Sequence, residues 1–224
     1  LRSLLGVLEV LNGLTYTAES AHRVFVARAL KIEVRELKPQ LLADYLTFFD
    51  KAFSDFPEWA ECYCGFYDTP GTDWDASPES GPEHRAARSE LIRNGKAHGL
   101  LAYIDGKPVG WCNAQPRASF VNMRSYRVAV TDPEEPVGSI MCFLVSPEHR
   151  SKGVSTTLLN VACDMFKRDG LQIAEGYPTT NPTKGSGGLP WAEANYKGPL
   201  NLFLKNGFRI HKQLERFAIV RRQL

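Results

Sequence analysis

A chain of 224 residues with 43% apolar content can bury a sizeable core, and 27 basic against 25 acidic side chains leave a formal charge of only +2. That near balance excludes a nucleic-acid footprint, and no run reaches the roughly twenty consecutive apolar residues that a membrane span requires. Five cysteines, scattered as Cys62, Cys64, Cys112, Cys142 and Cys163, make no disulfide framework and fit a reducing cytoplasm, while Cys62–Tyr63–Cys64 lacks zinc-ligand spacing and predicts buried thiols rather than a metal site.

Residues 1–30 contain the apolar stretch Leu4–Leu11, interrupted at Glu9, and read as an extension rather than a signal peptide. A domain is expected from residue 31 to residue 224. Ile32–Leu37 alternates as a first strand, and Pro39 opens a helix through Leu41, Leu42, Tyr45, Leu46 and Phe49. A loop from Thr69 to Pro82 precedes a helix over Glu83–Arg93, ended by Asn94–Gly95. Leu100–Ile104 and Val109–Asn113 flank Asp105–Gly106, a hairpin signal. Val137–Val145 forms the next strand, residues 155–168 a helix, and Leu171–Tyr177 a strand, so the strands on either side of the helix should be parallel. Asn181–Pro190 reads as a mobile loop: its Lys184–Gly188 run lacks the order of a nucleotide-binding loop. A short helix over Leu200–Asn206 stops at Gly207, and Phe217–Arg221 closes the chain as a strand.

The most informative stretch is Ile140–Thr156. An apolar strand stops at Pro147, and a helix restarts after Gly153. Glycine admits a ligand close to the backbone, Arg150 and Lys152 add positive charge, and the unpaired amides of the first helical turn face any anion held there. This place suits a phosphate.

Arg150-x-x-Gly153-x-Ser155 after Leu144–Val145–Ser146–Pro147 resembles the acetyl-CoA motif of the GNAT acyltransferase superfamily, usually Gln/Arg-x-x-Gly-x-Gly/Ala. Gly106–Ala114 upstream and Gly207–Phe208 downstream fall in the same order as in that family. The resemblance implies a mixed α/β fold: a central, mostly antiparallel sheet with one splayed parallel strand pair, flanked by helices. It also implies that the turn Arg150, Ser151, Lys152, Gly153, Val154, Ser155 and Thr156 binds the pyrophosphate of acetyl-CoA. The backbone of Phe143, Leu144 and Val145 would bind the pantetheine arm and thioester.

The implied reaction is acetyl transfer to a primary amine of a small molecule or peptide, by direct attack in a ternary complex without a metal. Glu175 in Ile173–Tyr177 is the candidate base. The family's acid tyrosine commonly stands four residues before the Gly–Phe pair, where this chain has Phe203, so Tyr196 or Tyr177 is expected to protonate the thiolate. Phe203 also favours a rival reading, a catalytically weak acyl-CoA-binding sensor of the same fold. Trp59, Cys62, Tyr63, Phe66, Tyr67 and Trp74 read for the most part as ordinary core, with an acceptor pocket as the alternative, in which Glu58, Glu61, Asp73 and Asp75 would attract a cationic acceptor. The partners expected are this amine and at most a second copy of the chain, with neither nucleic acid nor membrane.

Overall fold

A computed structural model describes residues 30–55, 61–70, 78–126, 135–180 and 195–224. The extension up to residue 29 and the Lys184–Gly188 run lie outside these, as do Glu58, Trp59, Asp73, Trp74 and Asp75. Among the described residues seven strands pair into one sheet: β1 (Glu33–Glu36), β2 (Leu100–Ile104), β3 (Lys107–Pro116), β4 (Val137–Val145), β5 (Ile173–Gly176), β6 (Arg209–Gln213) and β7 (Ala218–Gln223). Their spatial order is β1-β2-β3-β4-β5-β7-β6. Only β4 and β5 run parallel. Asp105 and Gly106 both take positive φ, 49° and 74°, the geometry a two-residue hairpin turn between β2 and β3 demands.

Among the described residues four helices flank the sheet: α1 (Leu42–Asp55), α2 (Gly81–Arg93), α3 (Val154–Arg168) and α4 (Leu200–Leu204). On α1, Tyr45, Phe48, Phe49 and Phe53 recur at helical spacing and pack on Leu101, Tyr103 and Trp111 of one sheet face. On α3, Val154, Leu158, Leu159, Ala162, Cys163 and Phe166 cover Leu100, Ala102, Cys112 and Ile140 on the other. Two glycines admit α3 to the sheet. A Cβ on Gly110 would stand 2.7 Å from Val154 Cγ1, and one on Gly138 would stand 2.3 Å from the Phe166 ring.

The parallel pair joins only Val137–Ile140 to Ile173–Gly176, whereas β4 continues to Val145. Met141 is an extra residue between the β3–β4 pairs Ala114↔Ile140 and Asn113↔Cys142. From there to Val145 the edge of β4 facing β5 has no strand beside it among the described residues, and the turn at residues 195–198 reaches in instead: the Phe143 amide donates to the Tyr196 carbonyl at 2.6 Å.

Two departures from the sequence reading have simple causes. Strand β6 carries Arg209, His211 and Lys212, the charged pattern of an exposed edge strand, so no apolar alternation announced it. Strand β5 stops at Gly176 rather than Tyr177, short of the residue where Pro178 leaves the ladder without a donor. Among the described residues no helix is long and apolar enough to cross a membrane, and the five cysteines are free thiols.

Candidate functional site

The connection from β4 to α3 is built to present backbone amides. Pro147–His149 make a single 3-10 turn, Ser151 takes φ +58°, and Gly153 takes φ +87° at the N-cap of α3. No side chain caps α3, so its first-turn amides face outward with the positive end of the helix dipole behind them. A Cβ on Gly153 would meet nothing within 4 Å, so in the protein alone the glycine serves the left-handed backbone and open space for a ligand. Arg150 ties the turn back to the strand, its Nε donating to the Val145 carbonyl at 3.2 Å. Close contact of Val154 with Gly110 fixes the height of the helix start above the sheet.

This turn opens into a cavity of about 770 Å³. At one end it is lined by Arg150, Ser151, Gly153, Val154, Ser155 and Thr156, and along its middle by Phe143, Leu144 and Val145. Lys152 is exposed beside the turn and outside the lining. The far end is apolar and aromatic: Phe49 and Phe53 from α1, then Cys62, Cys64, Phe66 and Tyr67. Tyr63 is instead buried in the α1 core, its hydroxyl donating to Asp50 at 2.8 Å. His149 lines the cavity with Nδ1 3.6 Å from Glu148 Oε1.

The three candidate catalytic residues occupy two different places. Tyr196 lines the cavity, is 37% exposed, and has its hydroxyl 3.3 Å from that of Tyr67. Lys197 Nζ lies 5.6 Å from the Tyr196 ring centroid. Glu175 and Tyr177 are outside the lining and fully buried. The Glu175 carboxylate accepts from Arg221 Nε at 2.6 Å, Arg117 Nη1 at 3.4 Å and the Tyr177 hydroxyl at 2.5 Å. Glu135 bridges the same two arginines, and Ser139 Oγ stands 2.9 Å from the Tyr177 hydroxyl. Burial, followed by the Glu175 charge, pushes the Tyr177 phenol well above its usual range.

Phe203 stands beneath this site. Its side chain is 0% exposed and packs on Phe143 and Phe208, with a Cβ on Gly176 only 2.3 Å from its ring. Residues that the sequence reading left out of the site are Asn113, Trp111 and Arg88, all buried around Cys64. Their only sequence signal is the Cys62–Tyr63–Cys64 spacing, which reads as ordinary core thiols.

Residues 50–182 match the sequence model of the acetyltransferase (GNAT) family. The chain belongs to that family. No curated protein matches it in sequence. Among solved structures, a GNAT-family acetyltransferase from Listeria monocytogenes is 11% identical with a TM-score of 0.52, covering 87% of this chain and 96% of its own. A GCN5-related N-acetyltransferase from Kribbella flavida is 17% identical with a TM-score of 0.50, covering 86% and 98%. A PaiA N-acetyltransferase from Thermoplasma acidophilum, solved with coenzyme A, is 14% identical with a TM-score of 0.48, covering 87% and 100%. The GNAT chain thus has the family's fold, a mostly antiparallel sheet with one parallel pair flanked by helices.

Proposed function

We propose that this GNAT protein is an N-acetyltransferase moving the acetyl group of acetyl-CoA to a primary amine of a small molecule or peptide. The observation that carries the reading is one cavity joining the uncapped start of α3 to the end of β4 beyond its pairing with β5. A pyrophosphate suits the amides of Val154, Ser155 and Thr156, with Arg150, Ser151, Lys152 and Gly153 forming the turn around it. The pantetheine arm suits the edge at Phe143, Leu144 and Val145, where backbone groups can pair as a strand would.

The acceptor enters from the aromatic end and attacks the thioester carbonyl directly. The Phe143 amide is the donor best placed for the thioester oxygen, and it exchanges the Tyr196 carbonyl for that oxygen when acetyl-CoA binds. Tyr196 is the acid for the departing thiolate, because its phenol stands in the cavity. Glu175 and Tyr177 act as positioning residues in this reading. With its oxygens engaged by Arg117, Arg221 and Tyr177, the Glu175 carboxylate anchors β5 to β7 beside the splay, and the amine's proton leaves to water in the cavity.

Release of CoA from acetyl-CoA across a panel of amines tests the proposal: one amine should give sustained turnover with stoichiometric N-acetyl product. Binding of acetyl-CoA without release of CoA for any amine would instead favour the acyl-CoA sensor, the reading supported by the phenyl ring at Phe203.

A further inference from the structure

The direct-transfer reading uses none of the three thiols, Cys62, Cys64 and Cys142, that line the aromatic end of the cavity. Cys64 differs from the other two. It ends a turn in which Glu61, Tyr63 and Cys64 take φ of +48°, +41° and +47°, a region that non-glycine residues seldom occupy. Asn113 Nδ2 donates to the Cys64 sulfur at 3.3 Å. Asn113 is the cross-strand partner of Cys142, and Phe143 follows directly, so the sulfur lies over the rung next to the amide assigned to the thioester.

The donors around this sulfur exceed what a core thiol needs. Trp111 Nε1 and Arg88 Nε are buried and have no hydrogen-bond partner among the described residues. Unmet buried donors are costly, and an anionic Cys64 sulfur is an acceptor for the Trp111 ring N–H, while Arg88, ion-paired with Asp68, adds positive charge nearby. Burial pushes the Cys64 thiol up, but the Cys142 thiol, the Arg88 charge, the Trp111 ring N–H and Asn113 together hold it below the usual thiol range. Burial pushes Cys62 up to about 12, and Cys142, donating toward Cys64, stands well above its ordinary value. Cys64 is thus the most acidic of the three neighbouring thiols.

We propose that Cys64 is a self-acylation site, taking the acetyl group from bound acetyl-CoA when no amine occupies the acceptor end of the cavity. The inference rests on the acetyl-CoA reading above. The Cys64 sulfur forms a bond to the thioester carbonyl carbon, the carbon–sulfur bond to CoA breaks, and the CoA thiolate takes up the proton that Cys64 gave up. One thioester replaces another, so the step is nearly balanced in energy and free CoA reverses it. The S-acetyl group fills the acceptor end, and the protein holds an acetyl group until CoA returns to remove it.

The test mixes the whole protein with acetyl-CoA and isotopically labelled CoA in the absence of any amine, with a parallel incubation using acetyl-labelled acetyl-CoA. The expected result is exchange of label into acetyl-CoA, together with a protein-bound acetyl group that neutral hydroxylamine releases and that maps to the Cys64 peptide. Both signals should fall to background in Cys64→Ala and Cys64→Ser, and the peptide map of the unaltered protein decides the matter should either variant fail to fold. Label on another residue, or exchange that survives in folded Cys64→Ala, overturns the proposal. Calorimetry with acetyl-CoA separates the two readings. Native protein that binds acetyl-CoA yet shows neither label nor exchange removes Cys64 alone, whereas failure to bind removes the acetyl-CoA reading and Cys64 with it.

Discussion

Phe203 shows how a single atom divides two accounts of this site. Phe203 is fully buried and does not itself line the cavity, so a hydroxyl added at its para position would be buried among Gly176, Phe143, Phe208 and Gly198. Phe203→Tyr should therefore lower stability by about 1–3 kcal/mol, the cost of an unpartnered buried hydroxyl, without raising turnover. A melting curve beside a steady-state rate checks both halves. Tyr196→Phe should lower turnover by about a hundredfold, at the small end of general acid catalysis, and leave the melting temperature nearly unchanged. Glu175→Gln separates a base from an anchor. As an anchor facing two arginines its loss should destabilise by about 3 kcal/mol, as for other broken buried ion pairs, with an unshifted pH–rate profile. A lost acidic limb in that profile would make Glu175 the base after all.

At the scale of elements, two glycines carry different duties on the two halves of α3. Gly110 faces Val154 at the start of the helix, and Gly138 faces Phe166 near its end. Gly110→Ala should displace the first turn and weaken acetyl-CoA binding more than it lowers the melting temperature. Gly138→Ala should do the reverse, destabilising by about 1–3 kcal/mol through overpacking. Titration calorimetry and thermal melts on the two variants make the comparison. The same helix shows what could be read in the sequence. Pro147, Gly153 and the spacing from Val154 to Phe166 announce a turn, an N-cap and an apolar face through local chemistry alone. Edge strand β6 was hidden because water, not core, faces Arg209, His211 and Lys212. The places of Glu175 and Phe203 were also hidden, since whether a strand carboxylate meets a cavity or two arginines depends on partners as remote as Arg117 and Arg221. The donors around Cys64 come from α2 and β3, so no local pattern could reveal them.

Across the whole molecule, the splay of β4 from β5 is what turns a sheet into a site. The four-residue parallel pairing leaves the end of β4 with backbone groups that no strand among the described residues takes up, and α3 starts shortly after that strand ends. In the proposed reading, phosphates, pantetheine and acceptor follow one another along one cavity, whose lining runs from the start of α3 to α1, Cys64 and Tyr67. The central claim is that the turn before α3 holds acetyl-CoA, and titration calorimetry of the native protein and of Gly153→Glu tests it most directly. The native protein should bind one acetyl-CoA per chain, and the variant, confirmed folded by its melting curve, should show no binding, because a side chain and a negative charge would then stand where the pyrophosphate belongs. A folded Gly153→Glu that binds acetyl-CoA as tightly as the native protein would contradict the account.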